Sequence, residues 1–145
     1  MSLTLAQAHT IVESALKKGR ETNCAPLTVA VLDAGGHLKA FAREDESGIL
    51  RPQIAFGKAW GALGMGLGSR AFAKRLAEQP AAPSFFTALA AASEGRLVPV
   101  PGGVLIRDAS KAVIGAVGIS GDTSDKDEAC ALAGIAAAGL VGDTG

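Results

Sequence analysis

The sequence predicts an α+β domain whose antiparallel sheet is built from two hairpins separated by helices. Three observations carry this. Pro99 to Gly121 reads as two β-favouring runs, Val104–Ile106 and Val113–Ile119, joined by the polar turn Asp108–Lys111. Leu27–Leu32 and His37–Arg43 make a second such pair around Asp33-Ala34-Gly35-Gly36. Between and around the pairs, apolar residues recur at helical spacing.

In chain order, Leu3 to Lys18 is the first helix. Thr4 and Gln7 have capping-box spacing, Leu5, Ala8, Val12, Ala15 and Leu16 form its apolar face, and Gly19 fits the position just past its end. Glu13 and Lys17 are placed for an i,i+4 ion pair. The strand Leu27–Leu32 is apolar on both faces. Alternation puts His37, Lys39, Phe41 and Arg43 on one face of the return strand, with Leu38, Ala40 and Ala42 on the other.

Glu44 to Leu50 is a polar loop. Pro52 suits the first turn of a helix running to about Leu67. Gly57, Gly61, Gly64 and Gly68 fall within about 60° of one another on this helix, a single stripe. Each glycine costs the helix about 1 kcal/mol relative to alanine, so a close-packed surface must compensate. The sheet, another subunit's helix and a flat ligand are the candidates. Ser69–Glu78 continues as a short helix, Gln79–Pro83 breaks it, and Ser84–Ala92 adds another turn or two. Leu97-Val98 is a candidate short strand.

The hairpin from Pro99 to Gly121 should lie at the centre of the sheet. Its second strand is apolar on both sides, with Val113, Val117 and Ile119 pointing one way and Ile114 and Ala116 the other, so it must be covered on both. Gly115 and Gly118 mark close approach of a backbone or a flat ligand. Asp122–Asp125 caps a last helix, with Asp125 and Glu128 at N-cap and N3 spacing and Ala129, Leu132, Ala133, Ala136 and Leu140 as its buried face. Gly142–Gly145 is expected to be loose.

At 145 residues the chain is long enough for one domain with a real core, residues 1–145 forming a single unit. Lysine plus arginine and aspartate plus glutamate are equal at 14 each, which argues against a general nucleic-acid or anionic-membrane binder. No apolar run reaches a membrane-spanning length, and the N-terminus lacks the pattern of a signal peptide, so a cytoplasmic location is expected. Cys24 and Cys130 form no CxxC pair and read as two small buried thiols in a reducing compartment.

Motifs for phosphate, dinucleotide and calcium binding fail on spacing. Gly57-Lys58-Ala59 lacks the hydroxyl residue of a P-loop, Gly64–Gly68 lacks GxGxxG spacing, and the acidic residues from Asp122 to Glu128 lack the 1-3-5 ligand pattern. Two histidines remain. His9, at the edge of the first helix's apolar face, reads as a partly buried structural residue, with metal ligation as the alternative. His37 follows a double-glycine turn and reads as a haem ligand, a general base or an exposed turn residue.

Three stretches together resemble the GlcG/HbpS family, the haem-degrading domain family that includes the C-terminal domain of PduO-type corrinoid adenosyltransferases. They are Val29–Leu38, the pair Gly102-Gly103 before Val104–Ile106, and Val113–Gly121 followed by Asp127-Glu128. Lys58-Ala59 also falls where the family tends to carry Lys-Ala. The resemblance implies a sheet of about five strands flanked by helices in a profilin/PAS-like layout, and a homo-oligomeric assembly. It also implies haem binding in some members and association with catabolic enzymes in others. This chain departs from the family at Arg43-Glu44-Asp45-Glu46, where Asp-Gly is common.

Three functions follow as expectations. The first is a binding protein for haem or a related tetrapyrrole, with His37 or His9 as the iron ligand, and it leans away from an enzyme. The second is an accessory protein or small enzyme acting on an organic acid, with Arg43 or Lys58 holding the carboxylate. The third is a structural oligomer without a ligand. A carboxylate pocket of Arg43, Lys58 and the Gly102-Gly103 backbone is expected for either kind of ligand. A soluble homo-oligomer, dimer or larger, is expected because the Ala/Gly-rich chain has more small apolar surface than one thin sheet layer needs.

Overall fold

The computed structural model describes residues 1–145. The elements run α1 (Leu5–Glu21), β1 (Thr28–Asp33), β2 (Leu38–Arg43), α2 (Arg51–Met65), α3 (Arg70–Glu78), α4 (Ala82–Ala92), β3 (Gly103–Arg107), β4 (Val113–Ser120), α5 (Ser124–Ala137) and β5 (Val141–Asp143). All strands pair antiparallel in one open sheet of order β2-β1-β4-β3-β5. The fold is α+β with two hairpins, and β4 is central as its two-sided apolar pattern requires.

The two faces are covered differently. α1 and α5 lie on one, burying Ile11, Ala15, Val29, Val31, Val104, Ile106, Val117, Ile119 and Ile135 together. α2 lies on the other, over Leu32, Leu105 and Ala116. α3 and α4 enclose a third cluster around Phe72 and Phe86, with Leu97 packed against it.

α2 reaches the sheet by backbone contact. A Cβ on Gly118 would overlap the Ala55 carbonyl, and one on Gly103 would overlap that of Lys58. The sheet's glycines therefore admit the helix. The glycines of α2 meet something else. Gly57 lies against the Arg96 carbonyl and Val98, and Gly61 against Leu97. Gly64 faces open space, and Gly68, beyond the helix, packs on Thr144. The stripe thus answers to the chain's own 96–98 segment along half its length. That segment is not a strand, although the Val98 amide donates to the Gly57 carbonyl.

Several expectations are corrected. α1 runs past Gly19, which is buried against Leu27 inside the helix, and ends at Glu21 with Thr22 as its C-cap before Asn23 at φ 55°. Its capping box forms as expected, but Leu5 is exposed, Ile11 belongs to the buried face, and the i,i+4 ion pair is Lys17–Glu21. Pro83 lies in the first turn of α4 instead of breaking the chain there.

The buried face of α5 is Asp127, Cys130, Ala131, Gly134 and Ile135, leaving Ala129, Leu132 and Ala136 outward. Gly134 is on that face because the Ile11 carbonyl of α1 occupies the space of a Cβ. The cap is Thr123, whose hydroxyl accepts from the Lys126 amide. The C-terminal tail is not loose: β5 pairs with β3, and Arg107 bonds Asp143 at 2.9 Å.

Register irregularities change two strand faces. Pairing shifts between Ile106 and Arg107, opposite Ile114, so Ile114 joins Val117 and Ile119 on the α1/α5 side while Val113 sits with Ala116 on the α2 side. A second shift at Val31/Leu32 places Leu38 beside Phe41 near α2, while Lys39 lies with Leu3 and Ile114 on the opposite side.

Candidate functional site

The β1–β2 turn presents an exposed histidine, His37. Asp33 ends β1, its amide donating to the His37 carbonyl at 2.9 Å. Gly36 takes φ 81°, where glycine carries no steric cost, and lies on the Trp60 indole. Asp33 Oδ1 accepts the Gly35 amide at 2.9 Å and the His37 amide at 3.1 Å. The same oxygen stands 3.3 Å from His37 Nδ1, and the imidazole is 81% exposed. Burial raises the Asp33 carboxyl, but the His37 and Gly35 amides together with the His37 imidazole outweigh it and hold it below its ordinary value. A cleft of about 340 Å³ adjoins the ring, with Met1, Leu3 and Ile114 as its apolar wall and Lys39 as its cation. A second hollow, beside Trp60 and Leu63, lies against the same turn.

The other polar centre is buried. Lys58 rises from the sheet face of α2, and its Nζ donates to the Ile119 carbonyl at 2.8 Å and to Asp127 Oδ2 at 3.1 Å. Both side chains are almost wholly enclosed, 3% and 1% exposed. Asp127 Oδ1 accepts the Asp122 amide at 3.0 Å. Burial pushes Lys58 below its ordinary value and Asp127 above its own, and their mutual attraction opposes both shifts. A lysine among Ala55, Gly57, Ala59 and Gly61 carries one sequence signal: an ammonium on a buried helix face needs a carboxylate partner. The sequence offers Asp127 only as one of the acidic residues between Asp122 and Glu128, with no partner assigned. Asp125 and Glu128, its neighbours, are held by Arg70.

Both cations of the expected carboxylate pocket already have partners within the chain. Lys58 and Gly102 are adjacent, Gly102 taking φ 116° where a Cβ would lie 2.9 Å from Nζ. The Gly103 amide is already used, donating to Ser69 Oγ at 2.8 Å. Arg43 is exposed and donates to the Ser47 carbonyl at 2.6 Å. Its cleft of about 460 Å³ is shared with Arg20 and the acids Glu44, Asp45 and Glu46. His9 is exposed on α1 and not partly buried. No group of three or more histidine, cysteine, aspartate or glutamate side chains is arranged to hold a metal ion.

Cys24 and Cys130, 106 residues apart in sequence, meet in the core with their sulfurs 4.0 Å apart. Burial first, then the neighbouring Cys24, pushes the Cys130 thiol up to about 12. A thiol so shifted is unreactive at neutral pH. On the outer surface, Leu38, Phe41, Pro52 and Phe56 line an apolar hollow of about 240 Å³, and the nearby loop exposes Ile49 and Leu50.

An open five-stranded antiparallel sheet, with one long helix across one face and two across the other, defines the architectural class. The chain belongs to the HbpS-like family of haem-degrading proteins, whose description matches residues 3–136. Three solved structures share the fold. "PduOC:Heme Complex" has a TM-score of 0.85 and 24% identity, covering 97% of each chain. Klebsiella pneumoniae protein ORFY has a TM-score of 0.82 and 27% identity over 94% of this chain and 90% of that one. HbpS has a TM-score of 0.77 and 27% identity over 94% of this chain and 89% of that one. None of the curated proteins matches the chain. No helix is long and apolar enough to cross a membrane.

Proposed function

We propose that this protein binds haem or a related tetrapyrrole at the β1–β2 turn, with His37 as the iron ligand. One observation carries the reading: His37 is an exposed imidazole beside a partly apolar cleft that also holds a cation. The residues fit the group. Haem supplies an iron that takes an imidazole nitrogen and propionates that pair with cations. His37 meets the first need and Lys39 the second, while the exposed Met1 side chain offers apolar contact to one edge of the ring. Family membership and a neighbour solved with haem support the same ligand class.

His9 is the lesser candidate, because it lines none of the hollows described above. The organic-acid reading loses support, because Lys58 is neutralised by Asp127 and the Gly103 amide is taken by Ser69. Exposed Leu38, Phe41, Ile49 and Leu50 support a homo-oligomer. Light scattering that finds only monomer at micromolar concentration rejects that assembly.

The test of the ligand is a haemin titration followed by the Soret band. Binding shifts the band, and His37→Ala abolishes the shift while His9→Ala leaves it. A spectrum identical to that of free haemin, or one indifferent to His37→Ala, rejects the assignment.

A further inference from the structure

We propose that Asp33 is a positioning residue for the iron ligand, fixing both the tautomer and the orientation of the His37 imidazole. The inference rests on the reading of His37 above and says how the ring is prepared for a metal. Three features of the turn hold the ring.

The first is the carboxylate. Asp33 Oδ1 lies 3.3 Å from His37 Nδ1. A neutral imidazole carries one proton on its two nitrogens, and an adjacent carboxylate favours placing it on the near one. The carboxylate thereby favours the tautomer with the proton on Nδ1, which leaves the lone pair on Nε2, the nitrogen that can bind iron.

The second is the rigidity of that carboxylate. Oδ1 is also held by the amides of Gly35 and His37, at 2.9 and 3.1 Å. Asp33 itself is paired on both sides, to His37 through its amide and to Gly115 across the sheet. Its carboxylate is thus anchored to the turn and does not depend on the histidine for its place.

The third is the floor beneath the ring. A Cβ on Gly35 would come within 2.9 Å of both His37 Nδ1 and Cε1. The ring occupies space that only glycine leaves free. Gly35 does not adopt a positive φ, so alanine is tolerated by the backbone there and acts on the ring and, at 3.3 Å, on the carboxylate oxygen that faces it. Ligating histidines generally donate their second nitrogen to a carboxylate or carbonyl, which raises ligand basicity, and loss of that partner weakens metal affinity about 10–100-fold.

The test uses the full chain loaded with haemin, and compares the wild type with His37→Ala, Asp33→Asn and Gly35→Ala. The Asp33→Asn change keeps an oxygen for the two amides and removes the charge. Far-UV circular dichroism and thermal melting check that each variant is folded. Asp33→Asn and Gly35→Ala each weaken haemin affinity by about tenfold or more. Asp33→Asn also lowers the iron–histidine stretching frequency of the ferrous form in resonance Raman spectra, because the ligand is less basic. A structural role in the turn would not move that frequency. If His37→Ala abolishes the Soret shift but Asp33→Asn changes neither affinity nor frequency, the positioning role is overturned while His37 stands as ligand. If His37→Ala has no effect, the ligand assignment falls and the inference with it. Should Asp33→Asn fail to fold, Gly35→Ala decides alone: unchanged affinity and frequency overturn the proposal.

Discussion

Replacing Asp127 by alanine tests the buried ion pair. The substitution removes the carboxylate facing Lys58 Nζ at 3.1 Å and the acceptor of the Asp122 amide at 3.0 Å. What remains is an ammonium enclosed in the protein with one acceptor, the Ile119 carbonyl. Breaking a buried pair from one side costs about 3–5 kcal/mol. A domain of this kind has roughly 5–15 kcal/mol in total, so the loss takes a large share of the stability. Urea denaturation at pH 7 should show a lower midpoint with an unchanged slope. Asp127→Asn, which keeps an acceptor for the Asp122 amide, should fall between the two. The double variant Lys58→Met/Asp127→Leu should recover most of the loss, because it buries no uncompensated charge. A loss below about 1 kcal/mol for Asp127→Ala, or a double variant no more stable than it, refutes the assigned role of the pair.

Three further outcomes are expected. Gly118→Ala, on β4, forces a Cβ into the Ala55 carbonyl and should destabilise by about 1–3 kcal/mol, whereas Gly64→Ala, facing open space on α2, should gain up to about 1 kcal/mol; paired urea titrations decide. The Ala25 amide first, then that of Thr123, holds Asp122 below its ordinary 3.8, so its stabilisation is complete above that pH and is lost as pH falls through the lower folded value. Asp33 and Asp108 act in the same direction and Asp127, raised by burial, in the opposite one, so Asp122→Asn should flatten the acid limb of a stability–pH curve without abolishing it. A chromogenic disulfide reagent at pH 7 should leave Cys130 unmodified in the native state and titrate both cysteines in urea, and rapid native labelling of Cys130 would contradict its burial.

The site was partly legible. His37 stood out because a double glycine precedes it, but its contact with Asp33 depends on how the turn closes. Lys58 was singled out for the wrong partner. Its carboxylate lies 69 residues away on a helix whose Ala-rich sequence shows no clear stripe, so periodicity selected Ala129, Leu132 and Ala136 instead of Asp127, Cys130 and Gly134. The face of α5 is chosen by the Ile11 carbonyl and by Lys58, neither of which has a local trace.

The sequence alone determined the features governed by near neighbours. The Thr4–Gln7 capping box, the polar turns at Asp33–Gly36 and Asp108–Lys111, and the central place of β4 each follow from residues within a few positions of one another. Only the tertiary structure decided β5, the bulge that turns Ile114 over, the meeting of Cys24 with Cys130, and the enclosure of Lys58. The physical reason is the same in each case. Local torsional preference and alternation act along the chain, whereas a three-residue edge strand, a shifted register and a buried ion pair are stabilised by groups that folding alone brings together.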